Sequence, residues 1–137
     1  MGPLLLFEDG TVQHQGMHFE RVHGLPPWLF PIHDRKAQPP PEGSTLLPAP
    51  AITGACVLLR RTDWDALGGF DEGYVIGDFE DSDLCLRLAE RGLSCAVDPA
   101  VRLYHLERQS QEAAAGWRFN ATLVNAWRHA QRWGELA

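Results

Sequence analysis

The chain has 137 residues, of which 45% are hydrophobic and 22% charged, and this composition is typical of a globular domain rather than a disordered segment. The formal net charge is −6 and no block of Lys or Arg occurs, so we expect no nucleic-acid partner, because phosphate binding relies on clustered positive charge. The cysteines, Cys56, Cys85 and Cys95, lie in apolar runs without CxxC spacing, which indicates packed, reduced thiols.

The sequence predicts a cytoplasmic chain. Residues 1–7 are apolar but too few, and without a basic start, to form a signal peptide. No run approaches the roughly 20 apolar residues of a membrane span, so no transmembrane segment is expected.

The first elements in chain order are a hairpin and a long loop. An apolar run at residues 4–7, the turn pair Asp9-Gly10 and the alternating residues 11–14 predict two antiparallel strands. Residues 24–50 are punctuated by prolines, which removes any helical or strand period and predicts one long Pro-rich loop. The aromatic residue Trp28 lies in this loop.

The middle of the chain predicts a buried strand and two helices. Residues 51–59 form an apolar run typical of a central buried strand. A short helix is expected over residues 62–67, with Thr62 as its capping residue and a stop at Gly68-Gly69. A second helix is expected to run from Glu80 or Asp81 to Arg91, before Gly92.

The last third predicts two short strands and a long helix. The strands cover residues 94–97 and 101–105 and are separated by Asp98-Pro99. The C-terminal helix covers residues 110–134, with Ser110 as its cap. Its predicted apolar stripe consists of Phe119, Leu123, Ala126, Trp127, Ala130 and Trp133.

Carboxylates cluster at the start of the second predicted helix. Glu80, Asp81 and Asp83 occupy its first turn, and Asp71 and Glu72 precede it in a glycine-rich segment. A helix N-terminus favours negative charge, so a carboxylate there is suited to accept a proton. The same pattern also has a purely structural interpretation, in which Asp81 or Ser82 caps the helix and Asp83 complements its dipole.

Several ordered motifs together resemble family 2 glycosyltransferases, and they extend over most of the chain. The opening residues 2–16 resemble the segment that rhamnosyltransferase-like members of this family place before their acceptor region. The other motifs are Thr53-Gly54-Ala55-Cys56-Val57-Leu58-Leu59-Arg60-Arg61, Gly68-Gly69-Phe70-Asp71-Glu72, Glu80-Asp81-Ser82-Asp83-Leu84-Cys85-Leu86-Arg87 and Tyr104-His105.

The resemblance implies a fold, a reaction and a base. The expected fold is α/β, a partial GT-A (nucleotide-diphospho-sugar transferase) fold with a mixed sheet and flanking helices. The implied reaction is an inverting transfer from a nucleotide-diphosphate sugar, with Asp81 as the catalytic base and Glu80 beside it. One base suffices, because the acceptor hydroxyl must lose a proton as it attacks the anomeric carbon.

The resemblance also implies a divalent metal, Mn²⁺ or Mg²⁺, that neutralises the leaving diphosphate in the full-length enzyme. Related enzymes hold it with a DxD motif on an earlier strand, and some add a late histidine, which makes His105 the candidate metal ligand. Two strings match the DxD pattern, Asp63-Trp64-Asp65 and Asp81-Ser82-Asp83. The first lies in a predicted helix cap and the second coincides with the motif of the base, so neither is expected to be the metal site. We therefore expect the nucleotide-binding half to be missing, the chain to be inactive alone, and no metal to be required in it.

Other candidate sites carry weaker arguments. Thr53 and Gly54 are expected to line the acceptor site, although a glycine in a strand is equally explained by backbone packing. Trp28 is the candidate for stacking on a sugar, and Asp83 is expected to share the substrate site. A zinc site at His14 and His18 is disfavoured because Gly16 lies between them and the HExxH glutamate is absent.

The sequence thus predicts one domain over residues 1–137, the acceptor-side portion of a bacterial hexosyltransferase-type enzyme. Its expected partners are a nucleotide-diphosphate sugar and a saccharide or lipid-linked acceptor, with a location in the cytoplasm, at the inner face of the membrane where the acceptor is lipid-linked. The alternative is a non-catalytic remnant that acts as a protein-interaction module and forms homo-oligomers through an exposed sheet surface. A weaker alternative is a carbohydrate-binding module without chemistry.

Overall fold

Two sheets and flanking helices make up the described part of the protein. The computed structural model describes residues 1–22, 28–106 and 115–135, and for Val22 and residues 115–119 it describes the backbone alone. The strands are β1 (Gly2–Leu6), β2 (Val12–His14), β3 (Met17–Val22), β4 (Trp28–His33), β5 (Leu47–Ala49) and β6 (Cys95–Tyr104). The helices are α1 (Arg61–Leu67), α2 (Glu80–Glu90) and α3 (Ala115–Trp133).

The main sheet is mixed, with the strand order β2-β1-β6-β5. β1 runs antiparallel to β2 and parallel to β6, and β5 runs antiparallel to β6. The turn between β1 and β2 places Gly10 at φ +82°, and both the backbone N–H and the hydroxyl of Thr11 donate to Asp9 Oδ1. The predicted hairpin and the predicted mixed sheet are confirmed.

β6 is one strand, whereas the sequence predicted two strands separated by Asp98-Pro99. Its pairing with β1 shifts register at this point, because Pro3 lies opposite Asp98 while Leu4 lies opposite Arg102. The extra residues include Pro99, which has no N–H to donate, and the N–H of Ala100 donates to Asp98 Oδ1 at 2.9 Å. The proline therefore causes an irregularity within the strand and does not end it.

The predicted loop over residues 24–50 is also wrong in part, because β4 and β5 lie within it. β4 pairs with β3 in a two-stranded sheet, with Phe19 opposite Pro31, and β5 is the edge strand beside β6. Prolines are accepted on edge strands, since one side of such a strand forms no ladder bonds. Trp28 thus begins a strand, while residues 24–27 lie outside the described residues.

Residues 51–59 do not form the predicted central strand. Ala51 forms an isolated bridge with Met17, after which the chain turns and exposes Ala55, Cys56 and Leu58. The backbone here is bound by side chains instead of a neighbouring strand, because the N–H of Thr53 donates to His14 and that of Gly54 to Asp81. The packed thiol expected at Cys56 is therefore exposed, whereas Cys85 and Cys95 are buried and free.

α1 and α2 have the predicted extents, but their N-termini differ from the prediction. α1 follows Arg60 without a side-chain cap, so Thr62 is not the capping residue, and Gly68 ends it at φ +73°. α2 follows Phe79 at φ +75°, and neither Asp81 nor Ser82 caps it. The backbone beyond α2 turns at Gly92, as predicted.

α3 buries a different stripe from the one predicted. Ala126 and Trp133 are buried as expected, but Leu123 and Trp127 are 38% and 54% exposed. Two polar residues, Asn125 and His129, are fully buried in their place. Ser110 and residues 111–114 lie outside the described residues, as does the side chain of Phe119. No helix that the structure describes, α3 included, is long and apolar enough to cross a membrane.

Three apolar clusters fix α2 and α3 against the sheets. The largest lies at the main sheet and includes Leu4, Val12, Val97, Ile52 and Cys85. The second joins α2 to α3 and β4 through Leu86, Trp133 and Leu29, and the third contains Tyr74, Phe79 and Ala126. The start of α2 therefore lies between two packed regions.

Candidate functional site

A cavity of about 420 Å³ opens at the start of α2. Five of the predicted site residues line it together, although they come from three separate parts of the sequence: Thr53, Gly54, Glu80, Asp81 and His105. Its further polar lining residues come from β2, β4, the segment before α2 and α3: Gln13, His14, His33, Asp78 and Thr122.

Asp81 is held in this cavity by backbone donors. Its Oδ2 accepts the N–H of Gly54 at 2.9 Å, and its Oδ1 accepts the N–H of Ser82 at 2.7 Å. Each carboxylate oxygen has a second lone pair, so the group can still accept a hydrogen bond from a hydroxyl in the cavity. The arrangement suits a positioned proton acceptor.

Gly54 permits this contact. A Cβ at position 54 would lie 3.3 Å from the Cβ of Asp81 and 3.4 Å from the Phe70 ring. A larger residue would require Asp81 or the backbone to shift by a few tenths of an ångström, which would strain the hydrogen bond from the Gly54 N–H. The glycine is therefore explained by close packing of the backbone against Asp81, and it also lines the cavity.

Asp81 also borders a second cavity of about 200 Å³ on its other side. This cavity is mainly apolar, with Val57, Phe70, Leu84 and Leu88 among its lining residues. The carboxylate thus stands between a polar cavity and an apolar one, so a molecule reaching it could contact both.

Glu80 has a carboxyl group that is short of partners. Its Oε2 is buried and has no hydrogen-bond partner among the described residues. Burial, and to a lesser degree the nearby charges of Asp81 and Asp78, raises the pKa of the Glu80 carboxyl. The Glu80 carboxyl therefore binds a proton more tightly than an exposed glutamate does.

A hydrogen-bonded pair of histidines, His14 and His33, binds the backbone of Thr53 through His14. His14 Nε2 accepts the N–H of Thr53 at 3.2 Å, and His14 Nδ1 lies 2.9 Å from His33 Nδ1. Because Nε2 accepts, neutral His14 has its proton on Nδ1 and donates it to His33. Burial and then the neighbouring His33 lower the pKa of His14 to about 3, so the ring remains neutral at ordinary pH.

Gln13 orients the ring of His105. Its amide nitrogen donates to the backbone oxygen of His105 at 3.0 Å, and its amide oxygen accepts from His105 Nδ1 at 2.8 Å. An amide oxygen can only accept, so Nδ1 carries a proton and Nε2 of the neutral ring has a free lone pair. His105 is exposed, and its hydrogen bond to Gln13 of β2 fixes the orientation of its ring.

The side chains present do not make a metal site. Among the residues the structure describes, no three His, Cys, Asp or Glu side chains are grouped closely enough to hold a metal ion. A hard divalent ion needs several oxygen ligands, so His105 could supply only one member of a larger set. The two DxD strings do not change this. Asp63 and Asp65 pair with arginines at the start of α1, and Asp83 of the second string is fully buried and pairs with Arg87.

Two predicted substrate-binding residues lie away from the cavity. Asp83 is fully buried, with Oδ2 accepting from Arg87 Nε at 2.7 Å and Oδ1 from Trp133 Nε1 at 2.8 Å, so its role is structural. Trp28 stacks on Phe30, with 6.1 Å between ring centroids, and packs against the cluster of Tyr74, Phe79 and Ala126. Neither lines the cavity that contains Asp81.

Sequence reasoning missed Gln13, His33 and the pairing role of His14. Gln13 and His14 are adjacent in a three-residue strand whose members are all buried. In the sequence the alternation that begins at Thr11 ends with two consecutive polar residues, and this is the one feature of the sequence that could have marked them. The position of His33 beside His14 depends on the β3–β4 sheet and has no sequence pattern.

Comparison with known proteins adds independent information. Residues 44–109 match the family model described as the N-terminal domain of galactosyltransferase. The chain is 37% identical over 119 residues to an O-antigen biosynthesis protein of Myxococcus xanthus, a match that covers 84% of this chain and 9% of that protein. It is 32% identical over 118 residues to the N-acetylglucosaminyl-diphospho-decaprenol L-rhamnosyltransferase of Mycobacterium tuberculosis, covering 77% of this chain and 36% of that protein.

A rhamnosyltransferase of Escherichia coli K12 is 32% identical over 79 residues, which is 58% of this chain and 30% of that protein. The chain therefore spans well under half the length of these curated relatives. No solved structure matches it significantly. The family model and the named bacterial relatives together support a glycosyltransferase family 2-like domain in this chain.

Proposed function

We propose that this domain is the acceptor-side portion of an inverting glycosyltransferase, which transfers a sugar from a nucleotide-diphosphate donor to a saccharide or lipid-linked acceptor. The observation that carries the proposal is the position of Asp81, whose carboxylate is held in a cavity by the N–H groups of Gly54 and Ser82. The relatives are named as sugar transferases or as an O-antigen biosynthesis protein, which agrees with this class of reaction.

In the proposed reaction Asp81 takes the proton of the acceptor hydroxyl. The hydroxyl oxygen then forms a bond to the anomeric carbon, the bond from that carbon to the donor diphosphate breaks, and the nucleoside diphosphate departs with the electron pair. Glu80 lines the same cavity beside Asp81, and Thr53 and Gly54 form the wall of the acceptor site.

The apolar cavity beside Asp81 favours an acceptor with a hydrophobic part. One relative is named for an acceptor that carries a decaprenol, and an acceptor of this class would place apolar chain beside Leu84 and Leu88. Such an acceptor would bring the domain to the inner face of the membrane.

The donor side of the reaction is proposed to come from polypeptide beyond these 137 residues. The chain matches 36% of the mycobacterial relative, and the described residues provide no three-ligand metal site. We therefore assign nucleotide binding, and the Mn²⁺ or Mg²⁺ that would neutralise the diphosphate, to the full-length enzyme, with His105 contributing one ligand. On this proposal the 137-residue chain alone is inactive.

The second candidate function is a protein-interaction module, and the outer edge of β6 favours it. β5 pairs with β6 only at residues 95–97, and beyond this point the described strands leave that edge uncovered. Exposed apolar side chains follow along it, including Val101, Leu103 and Tyr104. An uncovered edge of this kind can pair with a second copy of the chain or with another strand.

The test of the catalytic proposal uses the full-length polypeptide that contains this domain. Asp81→Asn should lower the transfer rate about 10²–10⁴-fold, the usual contribution of a general base. The product should have the opposite anomeric configuration to the donor sugar. The matched control is Glu90→Gln, which removes an exposed carboxylate from the same helix. Full activity of Asp81→Asn would overturn the assignment of Asp81 as the base and leave the interaction module. Retention of configuration would overturn the inverting reaction.

A further inference from the structure

The segment that leads into Glu80 and Asp81 has an unusual backbone. Ile76, Asp78 and Phe79 have φ angles of +68°, +73° and +75°, and Gly77 between them has φ +147°. Non-glycine residues rarely adopt this conformation, and for a β-branched residue such as Ile76 it is a true outlier. Each such residue disfavours this backbone conformation, so other contacts must hold the segment in this shape.

Asn125 of α3 provides these contacts. Its Oδ1 accepts the N–H of Val75 at 2.8 Å. Its Nδ2 lies 3.0 Å from the carbonyl oxygen of Val75, 2.7 Å from that of Gly77 and 3.2 Å from that of Asp78. The amide orientation follows from these partners, because an N–H can only donate and the carbonyl oxygens can only accept. Asn125 is fully buried, and all four bonds go to residues 75–78.

Neighbouring side chains of α3 extend the same contact. Thr122 Oγ1 donates to Asp78 Oδ2 at 2.8 Å. About two turns beyond Thr122, His129 Nε2 lies 3.2 Å from the hydroxyl of Ser82, and this hydroxyl donates to the carbonyl oxygen of Phe79. α3 therefore contacts residues on both sides of Glu80 and Asp81.

We propose that Asn125 is a positioning residue, which holds residues 75–79 in their strained conformation and thereby sets the place of Glu80 and Asp81 in the cavity. The inference rests on the proposed function for the meaning of that cavity. The contact itself does not depend on sugar transfer and can be measured without it. Asn125 touches none of the reacting groups and acts through the backbone that precedes them.

The test is nuclear magnetic resonance of the 137-residue chain and its Asn125→Ala variant. In the wild type, burial raises the pKa of the Glu80 carboxyl. Release of residues 75–79 should let water reach this carboxyl, so its pKa should fall towards the ordinary value in the variant. The N–H of Val75 loses its acceptor and should exchange with solvent at least about tenfold faster. Asn120→Ala, at an exposed position of the same helix, is the control and should change neither quantity.

A second variant keeps the proposal testable if Asn125→Ala does not fold. Thr122→Val removes only the bond to Asp78, and it should move the Glu80 pKa in the same direction by a smaller amount. A folded Asn125→Ala chain with unchanged Glu80 pKa and unchanged exchange at Val75 would overturn the proposal, as would equal changes in Asn120→Ala. These results are separate from the transfer assay of Asp81→Asn, so either proposal can fail while the other stands.

Discussion

His18 of β3 is held between the carboxylates of Glu20, on the same strand, and Asp34, which follows β4. The protonation of this one residue gives stability a pH dependence. Its Nδ1 lies 2.6 Å from Asp34 Oδ1 and its Nε2 lies 2.9 Å from Glu20 Oε1. Both ring nitrogens donate when the ring is protonated. The hydrogen bond with Glu20, followed by that with Asp34, raises the pKa of His18 above the ordinary value of 6.5.

The predicted consequence is a stabilising contribution that is present at low pH. It should be complete below the unfolded-state pKa and should disappear as pH rises through the raised folded-state pKa. Proton resonance titration of the His18 ring measures this directly, and Glu20→Gln should lower its pKa. If His18 titrates at the ordinary value in both chains, the two contacts do not exist in solution.

Asp83 links three helices and is the clearest case of a conflict between sequence and structure at the level of elements. Arg87, which pairs with it, also donates to the carbonyl oxygens of Leu67 and Gly69 beyond the end of α1. Trp133 of α3 donates to its other oxygen. The carboxylate thus satisfies donors from α2 and α3, and its partner satisfies unpaired carbonyl oxygens at the C-terminus of α1.

Asp83→Asn should therefore lower the free energy of unfolding by about 3–5 kcal/mol, because it leaves the Arg87 charge buried without a counter-ion. Urea denaturation followed by tryptophan fluorescence provides the measurement. Glu90→Gln, on the exposed side of the same helix, should change stability by less than about 0.5 kcal/mol. An Asp83→Asn chain as stable as the wild type would show that the residue is not the structural link described above.

The sequence predicted elements better where local chemistry decides their ends. The β1–β2 hairpin depends on Asp9-Gly10, and the ends of α1 and α2 depend on glycines with positive φ, so all three were predictable. Residues 51–59 were predicted wrongly because their backbone partners are His14 and Asp81, which are distant in sequence. The buried stripe of α3 was mispredicted for the same reason, since Asn125 and His129 are buried to bind residues 75–82.

The residues of the candidate site also divide into those that a sequence motif identifies and those that only tertiary contacts reveal. Asp81, Glu80, Thr53, Gly54 and His105 were identified from motifs and are brought together in one cavity. A sequence motif does not show which of two nearby acids faces the cavity. The turn of α2 places Asp83 on the buried side of the helix. Gln13, His33 and Asn125 had no motif, because their roles arise from tertiary contacts with segments far along the chain.

At the scale of the whole molecule, the uncovered edge of β6 predicts self-association. Pairing with β1 uses one side of the strand, and residues 99–104 have no strand partner on the other side among the described elements. Leu103→Lys should shift the chain towards a monomer in analytical ultracentrifugation, because a charge on an edge strand opposes pairing. The matched control is Leu123→Lys, at an exposed leucine of α3. A wild-type chain that remains monomeric at all accessible concentrations would rule out this interface.

Isothermal titration of the purified 137-residue chain tests whether this domain binds the acceptor while polypeptide beyond it binds the donor. The titrants are a soluble short-chain N-acetylglucosaminyl-diphospho-prenol and a panel of nucleotide-diphosphate sugars, each with and without Mn²⁺. We expect binding of the lipid-linked saccharide that Asp81→Asn weakens and Glu90→Gln leaves unchanged, with no binding of any nucleotide sugar. Metal-dependent binding of a nucleotide sugar together with no acceptor binding would contradict this expectation.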